Sequence, residues 1–346
     1  MTSASPSSPV TATGAPALSS APSSAPPPAP GSVRVAAIDC GTNSIRLLVA
    51  DLDPAAGTLT DVTRLMEVVR LGQGVDKTGR LAPEALARTL DATSRYGQIC
   101  RDLGAERIRF VATSATRDAQ NRQDFVDGVR AAIGVEPEVV SGDEEAALSF
   151  RGATSVLAAG HPGPYLVVDL GVGSTELVLG QDSPERAYSM DVGCVRMTER
   201  HLVTDPPTPE QVAAARADVR SALDVAAQDV PLGRTRTLVG LAGTVTTVTA
   251  HALGLERYDR NAINGAVLPT TATLAACQDL IARPREERAS LGFMHPGRVD
   301  VIAAGALVWS EVVARVAADV AADGGELSAV VTSEHDILDG IAWSLA

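Results

Sequence analysis

The chain has 346 residues, with 29 lysines and arginines against 42 aspartates and glutamates, so its formal net charge is −13. An acidic chain with only 3% aromatic residues lacks both the basic face and the stacking side chains of a nucleic-acid-binding protein. No apolar stretch reaches the roughly 18 residues of a membrane span, and the start does not resemble a signal peptide. The sequence therefore predicts a cytoplasmic protein with neither nucleic acid nor membrane as a partner.

The first 32 residues form a low-complexity segment that contains eight prolines, nine serines and no charged side chain. Such a segment cannot bury enough apolar surface to order itself, so residues 1–32 are predicted to be a disordered tail. The four cysteines show neither metal-site spacing nor Cys-x-x-Cys pairing. They are expected to be reduced and mostly buried.

Downstream of the tail, short apolar runs alternate with segments of helical periodicity. Strands are predicted at 33–38, 45–50, 108–113, 138–140 and 237–241. Helices are predicted at 83–103, 124–133, from about 143, at 208–225, 303–320 and 335–345. Alternating strands and helices indicate an α/β protein, and the length suits two domains.

A repeat within the chain is more informative than any single element. Residues 37–47 align with residues 167–177 at a constant offset of 130, without a gap, and Asp, Gly, Ser and Leu recur in register. A repeat of this kind implies two similar halves, each opening with a hairpin whose turn carries an acid, glycine and hydroxyl groups. We expect lobes at 33–148 and 149–333, facing one another across a cleft, with a C-terminal helix at 334–346 that packs back on the first lobe.

The two hairpin turns have the composition of phosphate-binding loops, because small residues let backbone N–H groups converge on an anion. Either turn alone fits an ordinary hairpin better, but duplication with an acid at the same position favours phosphate binding. A third glycine turn precedes a predicted helix N-terminus, although such a turn is also an ordinary connection. The candidate phosphate-binding residues are Asn43, Ser44, Gly171, Gly173, Ser174, Thr175, Gly243 and Thr244.

Three carboxylates, those of Asp39, Asp169 and Glu176, lie in or beside the two turns. Clustered acids are costly unless a hard cation neutralises them, and Mg²⁺ is the expected ion because it binds through few carboxylates beside substrate phosphates. Glu176 fits equally well as the partner of a nearby arginine on its strand.

Glu145 and three arginines complete the set of candidate site residues. Ser141 and Glu144 suit a capping box, which leaves Glu145 free to orient or deprotonate a water molecule. Arg46, Arg117 and Arg298 lie at or near element ends, where a guanidinium can grip phosphate, although a surface salt bridge is at least as common for each.

These motifs together resemble the exopolyphosphatase and guanosine pentaphosphate phosphohydrolase family, which shares the ribonuclease H-like fold of actin, sugar kinases and heat-shock chaperone ATPase domains. The segments that carry the resemblance are 36–46, 112–118, 141–146, 168–176 and 193–196, and the ending 333–341 is similar to that of short actinobacterial members. The resemblance implies Mg²⁺-dependent hydrolysis of the terminal phosphoanhydride of inorganic polyphosphate or of the 5′ γ-phosphate of guanosine pentaphosphate. Because family members often dimerise, it also implies a homodimer.

The resemblance assigns roles to individual residues. Glu145 matches the catalytic glutamate, Arg117 a phosphate-holding arginine, and Asp169 and Glu176 the metal-side carboxylates. Val172 replaces the middle one of three glycines in the second loop, so Val172→Gly is predicted to raise activity if that position needs a left-handed backbone or close contact with phosphate.

Two other functions remain open on the sequence. One is an ATP-dependent kinase for a small acceptor within the same superfamily. The other is an alarmone-binding regulator of low activity, for which Val172 is the best argument.

Overall fold

The computed structural model describes residues 26–117, 119–155, 157 and 160–346, so most of the tail predicted at 1–32 lies outside the described residues. The strands are β1 (Val33–Cys40), β2 (Ser44–Asp53), β3 (Thr58–Val68), β4 (Arg107–Ala112), β5 (Glu138–Val139), β6 (Tyr165–Leu170), β7 (Thr175–Gly180), β8 (Pro184–Met190), β9 (Thr237–Leu241), β10 (Val267–Pro269) and β11 (Ala329–Thr332). The α-helices are α1 (Val75–Thr78), α2 (Pro83–Asp102), α3 (Ser114–Arg117), α4 (Arg122–Ile133), α5 (Gly142–Thr154), α6 (Cys194–His201), α7 (Pro209–Asp229), α8 (Ala242–Ala252), α9 (Arg260–Ile263), α10 (Thr270–Ala282), α11 (Arg285–Ser290), α12 (Ile302–Ala322) and α13 (Ile337–Trp343).

Two mixed sheets organise these elements, and the predicted α/β fold of two similar halves is confirmed. The first sheet has the strand order β3-β2-β1-β4-β5 and the second the order β10-β11-β9-β6-β7-β8. Each sheet contains an antiparallel meander, β1-β2-β3 in the first and β6-β7-β8 in the second. The next strands run parallel to the first strand of the meander; they are β4 and β5 in the first half and β9 and β11 in the second. The third strands β3 and β8 were not predicted, because both are partly exposed edge segments without a continuous apolar run.

The register of the two hairpins reproduces the repeat in the sequence. Asp39 pairs with Arg46 across β1 and β2, and Asp169 pairs with Glu176 across β6 and β7, so the same two positions face each other in both halves. The strands end at the same point because the turn between them has the same length. Each acid thus lies in the second-to-last residue pair before the turn of its hairpin.

Two helices, α5 and α13, connect the halves. Leu148 of α5 packs in an apolar cluster with α13 and the first sheet, while Phe150 and Ala153 pack against the second sheet. The expected boundary between residues 148 and 149 therefore falls inside a helix that contacts both sheets. α13 packs on β1, β2 and β4 of the first sheet.

The glycines of α5 and α13 allow their backbones to touch. A β-carbon on Gly152 would lie 1.8 Å from the carbonyl oxygen of Asp336, and one on Gly340 would lie 1.9 Å from that of Leu148. The helices can cross this closely only because neither residue carries a side chain.

The cores lie on both faces of each sheet. Cys40 and Cys100 are buried in the first half and Cys194 and Cys277 in the second, and all four are free thiols, as predicted. Within the part of the chain that the structure describes, no helix has the length and apolar character needed to cross a membrane.

Candidate active site

The first hairpin turn holds a buried ion pair. Asp39, at the end of β1, is 4% exposed and accepts hydrogen bonds from Nε and Nη2 of Arg46 at 2.9 and 2.6 Å. The remaining nitrogen of Arg46 donates to Asp336, which precedes α13. Burial raises the pKa of Asp39 above its usual value in spite of Arg46. Arg46, predicted to bind phosphate, is therefore engaged by two carboxylates.

The second turn repeats the backbone geometry of the first. Gly171 N donates to the carbonyl of Ser174 at 2.9 Å, just as Gly41 N donates to that of Ser44 at 3.0 Å. Glu176 accepts a hydrogen bond from Ser189 Oγ of β8 at 2.7 Å. The two turns thus present the same backbone trace, with half-exposed serines at matching positions.

Glu145 lies in the first turn of α5, where the N-cap Ser141 accepts a hydrogen bond from Glu144 N. Only this half of the predicted capping box forms, because the carboxylate of Glu144 pairs with Arg109 at 2.7 Å. Glu145 lies 3.7 Å from Nη1 of Arg117, which also donates to the carbonyl of Val140 at 2.9 Å. The structure therefore brings the predicted base and its predicted arginine together.

The environment of Glu145 suits a proton acceptor at neutral pH. Burial, followed by the negative charge of Asp39, raises its pKa to about 7 against an opposing effect of Arg117, and Glu176 adds to the rise. A general base works best when its pKa lies near the working pH. Since residues from both hairpins act on Glu145, the two turns and this helix share one acidic site.

Asp169 is the most crowded carboxylate of this site. Burial raises its pKa well above the usual range, and Glu176, Asp336 and Glu145 raise it further, while Arg46 opposes them. Such crowding is relieved by a divalent cation, which stabilises the ionised form. The donor set of Asp169 and Glu176 is therefore compatible with Mg²⁺, which prefers oxygen ligands.

The three predicted metal ligands do not form one group. Among the described residues, no set of three or more His, Cys, Asp or Glu side chains is placed to hold a metal ion. Asp39 faces Arg46 instead of a shared ion position. The assignment of Asp39 as a metal ligand stays a prediction, and its buried carboxylate has Arg46 as a cationic partner.

The third glycine turn leads into α8 and contacts the guanidinium of Arg298. Arg298 packs directly on Gly243, where a β-carbon would lie 2.1 Å from the guanidinium carbon, and its Nη1 donates to Thr247 Oγ1 at 3.2 Å. These two predicted residues are therefore in contact. Thr244 is different, since its side chain is 5% exposed and faces α12 at Gly305. Only its backbone N–H remains suited to a phosphate group.

Thr175 and Val172, two residues of the second turn, have very different environments. The Thr175 hydroxyl is fully buried and donates to the carbonyl of Val192, so this side chain holds the turn in place rather than facing the cleft. Val172 is 47% exposed, and its backbone is not among the left-handed residues. The strain that motivated Val172→Gly is therefore absent, and only the bulk of the exposed side chain remains as a reason for it.

Asp336 is the site residue that the sequence reasoning missed. It lies 290 positions from Arg46 along the chain, and its Oδ1 also accepts the N–H of Leu338 to cap α13. The ending 333–341 resembles that of short family members, but an Asp before an apolar helix is commonly just a cap. Nothing local distinguishes a capping acid from one that also reaches a distant arginine.

Comparison with known proteins identifies the family. Residues 48–324 match the Ppx/GppA phosphatase family. Exopolyphosphatase 2 of Mycobacterium tuberculosis is 52% identical over 320 residues, which cover 90% of this chain and 98% of that protein. The guanosine-5′-triphosphate,3′-diphosphate pyrophosphatase of Aeromonas salmonicida is 34% identical over 226 residues, which cover 65% of this chain and 45% of that protein.

Solved structures agree with this result. The crystal structure of an exopolyphosphatase-like protein has a TM-score of 0.79 and 48% identity, with 91% of this chain and 98% of that chain covered. The Ppx/GppA phosphatase of Aquifex aeolicus has a TM-score of 0.77 and 27% identity, with 90% and 99% covered. The chain described here thus belongs to the Ppx/GppA phosphatase family.

Proposed function

We propose that the protein hydrolyses the terminal phosphoanhydride bond of inorganic polyphosphate, or the 5′ γ-phosphate bond of guanosine pentaphosphate, by in-line attack of water. The observation that carries the proposal is the position of Glu145, a carboxyl with a pKa of about 7 beside two matched turns. The 52% identity to an exopolyphosphatase over nearly the whole chain supports a phosphoanhydride as the substrate.

The turns would hold the terminal phosphate group between the two halves. Backbone N–H and hydroxyl donors would come from Asn43 and Ser44 on one side and from Gly173 and Ser174 on the other. The N–H of Gly171 closes its own turn by donating to the carbonyl of Ser174. Phosphoryl transfer depends mainly on positioning and on stabilising charge at the phosphate oxygens. Donors fixed by the hairpins satisfy both needs without moving during the reaction.

Glu145 would orient the attacking water and accept its proton, for which the raised pKa suits it. Arg117 would contact the phosphate group and keep Glu145 aligned. Its Nη1 lies 3.7 Å from Glu145 and donates to the carbonyl of Val140, which supports this role. A well-placed general base contributes about 10² to 10⁴ in rate.

Enzymes of this family generally depend on a divalent metal ion. Asp169 and Glu176 are the residues that would hold Mg²⁺ here, together with water and substrate oxygens. When bound, Mg²⁺ neutralises charge on the phosphate oxygens. It would also lower the raised pKa of Asp169.

The direct test is an assay of phosphate release from polyphosphate, guanosine pentaphosphate and ATP, with Mg²⁺ and with a chelator. We expect Mg²⁺-dependent release from at least one of the first two substrates, and ATP consumption that does not require an added acceptor. Release from ATP only in the presence of an acceptor would instead identify a kinase. Tight alarmone binding with negligible release would identify a regulator.

The role of Glu145 is tested by Glu145→Gln, with Glu144→Gln as a matched control. Glu144 is the neighbouring residue of the same helix, but its carboxylate pairs with Arg109 away from the turns. Glu145→Gln should lose turnover by at least about 10²-fold while still binding substrate. Near-normal turnover in Glu145→Gln, or an equal loss in Glu144→Gln, would overturn the assignment.

A further inference from the structure

In both halves, the chain that follows the third strand returns to the phosphate turn and delivers an arginine there. The carbonyl of Asn43 accepts hydrogen bonds from Val69 N at 3.0 Å and Arg70 N at 2.8 Å. In the second half, the carbonyl of Val172 accepts from Val195 N at 2.9 Å and Arg196 N at 3.4 Å. A similar backbone contact thus occurs in both halves, one residue earlier in the second turn than in the first, and its second donor is an arginine each time.

Arg70 adopts a conformation that its side chain disfavours. Its φ is +50°, in the left-handed region, which suits glycine or asparagine better than arginine. Neighbouring hydrogen bonds hold the loop in place: Arg88 donates to the carbonyl of Val69, and Gly72 N donates to that of Thr42 at 2.9 Å. A turn alone would not require arginine here, and strain of this kind is commonly found at functional sites.

The Arg70 side chain is exposed and unengaged. Within the described residues, its guanidinium has neither a hydrogen-bond nor an ion-pair partner, although acidic residues outnumber basic ones in the chain. The backbone of Arg70 therefore lies beside the first turn, and its guanidinium is exposed and available to an anion from solution.

Arg196 is the arginine at the second turn. Its Nη2 lies 3.6 Å from the position that a β-carbon on Gly173 would take, so the guanidinium lies over the turn. Its protein partner is Asp191, at 2.8 Å, whose side chain is 86% exposed. An ion pair this exposed is weak, so phosphate can replace the carboxylate at little cost.

The electrostatics of the site explain why such arginines are needed. Arg46 is held by Asp39 and Asp336, and Arg117 lies beside Glu145, so both charges are largely offset by carboxylates of the protein. A chain of several phosphate groups approaching these acids is repelled unless other cations compensate. Arg70 and Arg196 supply such positive charge, one from each half, in addition to that of a bound Mg²⁺.

We infer that Arg70 and Arg196 are substrate-binding residues that grip the phosphate chain from opposite halves. The inference rests on the proposed function and goes beyond it by naming what holds the part of the substrate that does not react. Because both residues act on binding and not on the bond that breaks, their loss raises KM more than it lowers kcat.

The test compares Arg70→Gly, Arg196→Gln and the double variant with the wild type, with Arg236→Ala as a control. Arg236 is exposed and precedes β9, at the end of the second sheet opposite Asp169. Each single change should raise KM for polyphosphate about 10-fold, the size expected for losing a hydrogen-bonded contact to a charged group, and should weaken its salt dependence. Turnover at saturation should stay within about 2-fold of the wild type, and Arg236→Ala should leave KM unchanged.

Thermal unfolding separates binding from structure. Glycine adopts a φ of +50° freely, so Arg70→Gly should melt no lower than the wild type even as its KM rises. A merely structural arginine would lower the melting temperature together with activity. Unchanged KM in both single variants, or a KM change in Arg70→Gly that follows a fall in melting temperature, would overturn the inference.

Equilibrium binding of inorganic tripolyphosphate to the same variants distinguishes this inference from the proposed function. If the wild type hydrolyses polyphosphate and neither arginine affects binding, the inference fails and the function stands. If the wild type shows no hydrolysis but both changes weaken tripolyphosphate binding about 10-fold, the function fails and the arginine sites stand. A wild type that neither hydrolyses polyphosphate nor binds tripolyphosphate would refute both.

Discussion

A single methyl group at the crossing of α5 and α13 should disturb both stability and catalysis. In Gly340→Ala the new β-carbon would lie 1.9 Å from the carbonyl oxygen of Leu148 and 3.0 Å from its α-carbon. The first pair must separate by about 1 Å to reach even 3.0 Å, below which β-carbons are essentially never found. Both partners are backbone atoms, so no side chain can rotate away and the helices themselves must move.

The size of the losses in stability and in rate follows from the close packing at this helix crossing and from the site residues that it positions. Overpacking a well-packed core costs about 1–3 kcal/mol, and a contact between two backbones belongs at the upper end, near 3 kcal/mol. α5 carries Glu145, and the residue before α13, Asp336, holds Arg46, so the same displacement reaches the site. A misplacement of about 1 Å in catalytic groups can lower the rate about 10²-fold.

Guanidinium unfolding and steady-state phosphate release would measure the two effects. The control is Gly142→Ala, at the start of α5, where a β-carbon would have no neighbour within 4 Å. Because alanine favours a helix over glycine, this control should be as stable as the wild type or gain up to about 1 kcal/mol. A Gly340→Ala protein as stable as the wild type would show that the crossing is not tight and would contradict this prediction.

Three further predictions concern single residues. The pKa of Glu145 is about 7 in the folded protein against an ordinary 4.5, so the free energy of unfolding should fall as the pH rises from about 4.5 to 7. Turnover should rise through pH 7 as Glu145 becomes ionised. This pKa shift corresponds to about 3 kcal/mol, and solvent screening at a side chain that is 36% exposed reduces it to about 1 kcal/mol. In denaturant titrations, the free energy of unfolding of Glu145→Gln should therefore exceed that of the wild type by about 1 kcal/mol at pH 8 and should equal it at pH 4. Asp339 is fully buried; burial itself raises its pKa, but hydrogen bonds from His335 and Arg64 hold that pKa below the usual range. Asp339→Asn should therefore lower the free energy of unfolding by about 2–3 kcal/mol at pH 7 in the same titrations. A loss of less than about 0.5 kcal/mol would contradict this prediction. Ala242 has a φ of +67°, so Ala242→Gly should raise the free energy of unfolding by about 1 kcal/mol, and calorimetry showing a loss would count against strain at that turn.

The sequence alone predicted the elements whose information is local. The offset of 130 residues located both hairpins, and the structure pairs Asp39 with Arg46 just as it pairs Asp169 with Glu176. Turns of this kind depend on glycine and hydroxyl residues at fixed positions, and the burial of a strand depends on its apolar run, so both can be found without knowing the rest of the fold. The edge strands β3 and β8 have weaker patterns, because β3 contains no fully buried residue and β8 contains one.

Tertiary structure decided which side chains remain available for chemistry. Arg46 and Asp336 meet across 290 positions, Thr175 is buried against Val192, and Glu145 acquires its raised pKa from burial and from carboxylates of other elements. None of these facts is encoded near the residue concerned, because desolvation and Coulomb interactions depend on distance in space and not on spacing along the chain. Residue types and their order therefore reveal the phosphate turns, while only the folded arrangement distinguishes a guanidinium already bound to the protein from one free to bind a phosphate.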